Sequence, residues 1–328
     1  MTQATTHAIR IHRSGGPEVL QWEVVTLPPP AAGEVRLRHH AIGLNFIDTY
    51  HRSGLYPLPL PSGLGMEGAG VVEAVGEGVA EVRVGDRVAY TNGPLDAYSE
   101  ARNIPARHLV VLPDELSFEQ GAAMMLQGIT AQYLLHSTYP VRAGETILVH
   151  AAAGGVGSIL VQWAKLLGAT VIGAVGSDEK ALRARALGCD HVIVYSRESF
   201  PERVRALTGG EGVAVVYDSV GRDTFLGSVA CLRRRGTMVS YGNATGPVAP
   251  FDCALLHKAG SVFVTRPGLP DYIATRDELV ARAASLFEVV RSGKVKVEVM
   301  QRYALKDAAQ AHRDLEARRT TGSTVLLP

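Results

Sequence analysis

The 328-residue sequence lacks any apolar run approaching the roughly 18 residues that span a bilayer, and its opening stretch, MTQATTHAIRIHRSGG, has no apolar signal core. A cytoplasmic protein without a membrane segment is therefore expected. Cysteine is scarce. Cys189, Cys231 and Cys253 stand far apart without the paired spacing of a zinc site, so they read as buried small hydrophobes or free thiols rather than a disulfide or metal framework. An excess of one charge is also missing: with a net charge of +1, the chain has no general basic field for nucleic acid or anionic membrane. The basic run Arg233–Arg235 has no interleaved aromatics and reads as solvated surface. There is no internal repeat and no low-complexity segment.

What is present suits a folded protein of two domains: 46% hydrophobic and 20% charged residues over a length that exceeds one ordinary core. Residues 1–125 read as β-rich, with short runs such as EVRLRHHAIGL and GAGVVEAVG cut by Gly and Pro, and no long amphipathic helix competes there. After Leu116–Gln120 the texture changes. TILVHAA, GSILVQWAKLLG, TVIGAV, DEKALRARALG, HVIVY, SFPERVRALTG and VAVVYDSV alternate strand and helix patterns, which predicts βαβ units around a buried parallel sheet. The C-terminal part adds helical patterns at DELVARAASLFEVVRSG and DAAQAHRDLEARR and a final strand-like STVLLP.

AAGGVG, Ala152–Gly157, lies where a predicted strand meets a predicted helix, the context in which glycines mark a dinucleotide site. Aligned to G-x-G-x-x-G, Ala152 stands for the first glycine. Gly154 would admit the pyrophosphate to the backbone, and Gly157 would let helix pack closely on strand. An NAD site places Asp or Glu at the end of the second strand, about 20 residues on, to bond the ribose 2′-hydroxyl. Here that strand ends in AVGS, so Gly176 and Ser177 stand where a carboxylate would repel a 2′-phosphate, and Lys180 can reach one as a point charge. This favours NADPH. The alternative is NADH, with Asp178 or Glu179 on the ribose and Lys180 solvated.

The run GETILVHAAAGGVGSILVQWAK, Gly144–Lys165, resembles the signature of the quinone oxidoreductase and zeta-crystallin branch of the medium-chain dehydrogenase/reductase superfamily, and in particular its bacterial NADPH:quinone reductases. GPEVL at Gly16–Leu20, IGLNFIDTYHRSGLYP at Ile42–Pro57, GMEGAGVVEAVGEGV at Gly65–Val79, VYDSVG at Val216–Gly221 and VTRP at Val264–Pro267 follow in the same order. The resemblance implies an α/β protein: a GroES-like, β-rich catalytic domain over residues 1–125 and 266–328, and a Rossmann domain with a doubly wound parallel sheet over 126–265, with the active site in the cleft between them.

Where zinc-dependent members of the superfamily place a Cys and a His ligand, this sequence reads Asn45 and Met66, and residues 85–115 hold no cysteine for a structural zinc. No metal is expected, and the substrate should be electrophilic enough to accept hydride unaided, a quinone first and an α,β-unsaturated carbonyl second. Similarity places Asn45, Asp48, Tyr50 and Tyr56 beside the nicotinamide, where a phenol would bond or protonate a developing oxyanion. Aromatic packing for the tyrosines and a helix cap for Asp48 are the alternatives. The same similarity implies cofactor contacts from Phe46, Thr130, Tyr133, Gly154, Gly155, Val156 and Gly157. It assigns Tyr195 and Arg318, with Gly176, Ser177 and Lys180, to the 2′-phosphate, and Ser219, Tyr241, Gly242, Asn243, Val264, Thr265 and Arg266 to the nicotinamide side. Gln127 departs from relatives that can carry Lys. A homodimer pairing an edge strand near Ser261–Thr265 is expected. A role of another class, AU-rich RNA binding or a structural NADPH-binding protein, is the remaining alternative implied by zeta-crystallin relatives.

Overall fold

A computed structural model describes residues 4–328; the first three residues of the segment read for a targeting signal lie outside it. The chain forms two compact units. One gathers the chain up to Ile129 with Ile273–Arg291 and Val297–Pro328, and the other comprises Thr130–Tyr272 with Ser292–Lys296.

The first unit is mainly antiparallel. Its larger sheet centres on the strand Glu34–Leu44, which pairs with Glu67–Val75, Ala101–Pro105 and the C-terminal strand Ser323–Leu327. The last pairing, Leu326 opposite Ile42, is what makes the C-terminus part of this unit. Ala4–Ile11 with its neighbours Gln21–Leu27 and Ser62–Gly63 forms a smaller sheet. Ile9, Leu37, Ile42, Val72, Tyr90, Ile104 and Leu326 pack into one core, as expected for strands that alternate a buried and a solvated face. Two helices depart from the β-rich reading of residues 1–125. Helix α1, Phe46–Ser53, is short and starts from Asn45, and helix α2, Phe118–Tyr133, begins inside the region. The second start is a capping box: the Gln120 N–H donates to Ser117 Oγ at 3.1 Å and the Ser117 N–H to Gln120 Oε1 at 3.0 Å.

The second unit holds β1 (Thr146–His150), α3 (Gly155–Leu166), β2 (Thr170–Val175), α4 (Asp178–Ala186), β3 (His191–Val194), α5 (Phe200–Leu207), β4 (Val213–Asp218), α6 (Phe225–Ala230), β5 (Leu232–Ser240) and β6 (Phe263–Thr265). The six strands are all parallel, in the order β3-β2-β1-β4-β5-β6. This is the doubly wound order, with its switch point between β1 and β4. Every residue of β4 is buried, the consequence of helices covering both faces of a parallel sheet.

The changeover from first to second unit after Ile129 falls inside α2, so no loop in the sequence marks it. Ser292–Lys296 joins the second unit through reciprocal bonds: Gln162 Nε2 donates to the Lys296 carbonyl at 3.0 Å, and the Lys296 N–H to Gln162 Oε1 at 2.9 Å. Among the described residues no helix is long and apolar enough to cross a membrane.

Candidate functional site

In the first unit, Asn45 ends the strand Glu34–Leu44 and opens α1 in an extended conformation, with φ −128° and ψ 154°. Its buried side chain is held at both ends. Nδ2 donates to Glu67 Oε2 at 2.6 Å, while Oδ1 accepts from Gln127 Nε2 at 3.1 Å. Gln127 Oε1 in turn accepts from Ser323 Oγ at 2.7 Å, and the Leu126 N–H donates to Glu67 Oε1 at 2.7 Å. Gln127 thus uses its amide to orient Asn45. Burial pushes the Glu67 carboxyl up to about 8, against the hydrogen bonds from Asn45 and Leu126 that pull it down.

Asp48 is fully buried, and its Oδ2 accepts the Asn45 N–H and the Tyr98 hydroxyl, both at 2.9 Å. It therefore works as the acid of a helix N-terminus. Burial pushes it up to about 7, with both hydrogen bonds opposing, and the absence of any partner for Oδ1 favours the protonated acid. A chain of side chains continues from here. His312, in the helix Ala308–Glu316, lies 3.1 Å from the Tyr98 hydroxyl through Nε2 and 3.1 Å from Arg52 through Nδ1. A guanidinium only donates, so Nδ1 accepts and Nε2–H donates. Burial, with Arg52 adding to it, holds His312 down at about 3. Arg52 completes a bidentate pair with Glu316 at 3.0 and 2.7 Å.

Tyr50 lies one turn along α1, packed against Phe46 at 5.9 Å between ring centres and edge-on against Tyr56 at 5.3 Å. The structure thus brings Asn45, Phe46, Tyr50 and Tyr56 onto one short helix and the loop after it. Asp48 points instead to the interior, toward Tyr98. The reading of the sequence missed Glu67, Tyr98, Arg52 and His312. Glu67 follows Met66 directly and was open to notice, but no local pattern joins Arg52 to a histidine 260 positions away.

In the second unit, β1 ends at His150, Ala151 turns with φ +49°, and Gly154 opens α3. A Cβ on Gly157 would lie 2.2 Å from the Ala151 carbonyl oxygen, which is why only glycine lets the helix approach there. The backbone N–H groups of Gly155, Val156 and Gly157 form the first turn of α3, where a helix presents donors without intrahelical partners and a positive dipole end. At the end of β2, a Cβ on Gly176 would meet the Tyr195 hydroxyl at 2.8 Å, so Gly176 makes room for that phenol. Ser177 caps α4, its Oγ accepting the Lys180 N–H at 3.3 Å. Gly176, Ser177, Lys180 and Tyr195 therefore gather at the carboxyl ends of β2 and β3, whereas Arg318 belongs to the first unit. Of the two acids of the NADH alternative, Asp178 is paired with Arg197 at 2.7 Å.

Thr130 is buried in the last turn of α2, and Tyr133 stacks on Tyr272 at 4.1 Å. Beyond β4 and β5, the Tyr241 N–H donates to the Asp218 carbonyl at 2.8 Å and the Ala244 N–H to that of Ser219 at 3.2 Å, setting Ser219, Tyr241, Gly242 and Asn243 side by side. Val264 and Thr265 lie on β6, and Arg266 directly follows it. Among the described residues no three His, Cys, Asp or Glu side chains come together as a metal site.

Residues 31–139 match the family model "Alcohol dehydrogenase GroES-like domain" and residues 155–279 the model "Zinc-binding dehydrogenase". A quinone oxidoreductase of Salmonella typhimurium is 54% identical, covering 98% of this chain and 99% of its own. A 2-haloacrylate reductase of Burkholderia sp is 48% identical, covering 97% and 98%. The crystal structure of Escherichia coli quinone oxidoreductase complexed with NADPH superposes with a TM-score of 0.97 at 52% identity, covering 99% of this chain and 100% of that one. The chain belongs to the quinone oxidoreductase branch of the medium-chain dehydrogenase/reductase superfamily.

Proposed function

We propose that this protein is an NADPH-dependent quinone reductase that works without a metal ion. The observation behind the cofactor choice is the group at the ends of β2 and β3. Gly176 makes room for the Tyr195 phenol, Ser177 caps α4, Lys180 lies in the first turn, and the Asp178 carboxylate is paired with Arg197. Such a group suits a phosphorylated ribose, and the E. coli relative was solved with NADPH. The glycine turn fits the pyrophosphate, because Gly157 brings the start of α3 against Ala151 where any side chain would intrude. When bound, NADPH supplies the hydride.

The chain's own residues bind, orient and donate. Asn45 gives one amide hydrogen to Glu67 and keeps a second, and that donor together with the Tyr50 and Tyr56 phenols is proposed to meet the quinone oxygen as negative charge develops on it. Gln127 and Glu67 stop the Asn45 amide from turning, which removes a reorganisation cost at the moment of reaction. Asp48 acts through Asn45 by holding its backbone, so it is a positioning residue in this reading.

A second reading, reduction of electron-poor alkenes, is favoured by the 48% identity to a 2-haloacrylate reductase. The RNA-binding alternative gains nothing from Arg233, which pairs with Glu145 at 2.8 Å. We also propose a dimer through β6, an edge strand of the parallel sheet.

The test follows NADPH absorbance with chelator-treated protein against ortho- and para-quinones, enones and 2-chloroacrylate, each repeated with NADH. Fast, NADPH-selective turnover with quinones is expected. Turnover with the alkenes alone would replace the quinone reading, and loss of activity on chelation would end the metal-free one. Lys180→Ala should raise KM for NADPH about tenfold, as for one lost charge-assisted contact, and leave NADH unchanged; an equal effect on both would remove Lys180 from the 2′-phosphate.

A further inference from the structure

Asp218, the last residue of β4, is fully buried, and each of its carboxylate oxygens takes two donors. Oδ1 accepts the Val220 N–H at 2.8 Å and the Gly221 N–H at 3.1 Å, and Oδ2 accepts Thr224 Oγ1 at 2.7 Å and Ser228 Oγ at 2.8 Å. The loop 219–224 is thus wrapped around one carboxylate, a turn of the kind Asp favours but with every lone pair directed at a different part of the loop or of α6.

The arrangement extends to the neighbouring strand. Ser228 has a single hydroxyl hydrogen and gives it to Asp218, so its 3.0 Å contact with His150 Nε2 runs the other way, with Nε2–H donating to Ser228 Oγ. His150 is the last residue of β1 and directly precedes the glycine turn, and its ring is fully buried. One carboxylate therefore connects the carboxyl ends of β1 and β4, the two strands flanking the switch point where ligands of open α/β sheets bind. On its far side the same loop meets β5's extension. The Val220 carbonyl accepts the Thr245 N–H at 2.9 Å, and a Cβ on Gly242 would lie 2.4 Å from the Ser219 oxygen.

We propose that Asp218 is a positioning residue for the nicotinamide half of the cofactor. By holding loop 219–224 against the 241–246 loop, it sets the surface formed by Ser219, Gly242 and Asn243. This rests on the NADPH reading above and adds a residue that touches no ligand itself. The adenosine end, at Ser177, Lys180 and Tyr195, is built from β2, β3 and α4, none of which bonds to the Asp218 carboxylate. The two halves of the cofactor should therefore respond separately.

The experiment titrates NADPH and adenosine 2′,5′-bisphosphate into the wild type and Asp218→Asn, following fluorescence or calorimetry. Asn keeps an acceptor for Val220 and Gly221 but sets an amide donor against two hydroxyls. NADPH should bind about tenfold or more weakly, the scale of a lost charge-assisted contact, while the bisphosphate binds as before. Equal weakening of both would mean that Asp218 only supports the fold, and no change in either would remove its role. Wild type that binds neither would overturn the NADPH reading itself, and the Asp218 proposal with it. If Asp218→Asn fails to fold, Thr224→Val removes one donor at nearly constant shape. It should weaken NADPH severalfold and spare the bisphosphate, and equal affinities for wild type and Thr224→Val would overturn the proposal.

Discussion

Asp48 and Glu67 are carboxyl groups fully buried and each bonded to Asn45, one to its backbone and one to its side chain. Burial raises both, to about 7 and about 8, so the folded state holds more protons than the unfolded chain from the ordinary carboxylate range up to those values. Rising pH through that window therefore costs stability. The buried His39 and His312 act oppositely. Both are held down at about 3 by burial, so the unfolded chain binds more protons between about 3 and the ordinary histidine value of 6.5, and falling pH costs stability there. Between pH 7 and 8 Asp48 completes its own ionisation, while Glu67 titrates most among these four. Its contribution there should fall by about 1 kcal/mol, at the scale of 1.36 kcal/mol per pK unit. Urea unfolding at the two pH values should show that loss in wild type and only the smaller part due to Asp48 in Glu67→Gln; an equal loss in both would mean that Glu67 is already ionised. Asn45 and the tyrosines were grouped in the sequence by the family resemblance of IGLNFIDTYHRSGLYP, which spans them in one continuous run. Glu67 stood open to notice beside Met66, but its significance is the absence of water around it, and burial is a property of the whole sheet.

At the level of elements, α3 and its glycine turn were readable in advance, since the strand, the glycines and the helix lie within one continuous stretch. The structure separates the roles of two of those glycines. A Cβ on Gly157 would sit 2.2 Å from the Ala151 oxygen, a backbone atom that cannot give way, whereas on Gly154 the nearest atom would be 3.2 Å away and φ is an ordinary −83°. Gly157→Ala should lose about 1–3 kcal/mol, the usual cost of overpacking, and Gly154→Ala less than about 1 kcal/mol. Urea melts of the two variants would check this, and equal costs would contradict the close approach at Gly157. Helix α1 was foreseen only as the helix-cap alternative for Asp48, for the opposite reason. It has eight residues, and its start depends on an N-terminal acid, Asp48, whose partner Tyr98 comes from another part of the chain.

For the molecule as a whole, β6 is a short edge strand on which Phe263 is 60% exposed. Such an edge is a template for another strand, and an exposed aromatic on it is best accounted for by a partner copy. Wild type should scatter light as a dimer at micromolar concentration and Phe263→Lys as a monomer with its far-ultraviolet dichroism unchanged; a monomeric wild type would contradict the dimer.

The fold class, the alternation that builds the parallel sheet, the glycine turn at Gly154–Gly157, and Gly176 and Ser177 at the end of β2 can all be read from the linear sequence. These depend on period, turn chemistry and short spacing, which are local. Which polar groups lie out of water, and what they face, came from tertiary packing. It set Glu67 and Gln127 on Asn45, His312 between Tyr98 and Arg52, and Ser228 between Asp218 and His150. Those relations join residues tens to hundreds of positions apart, and they are fixed by strand register and burial, neither of which a linear pattern contains.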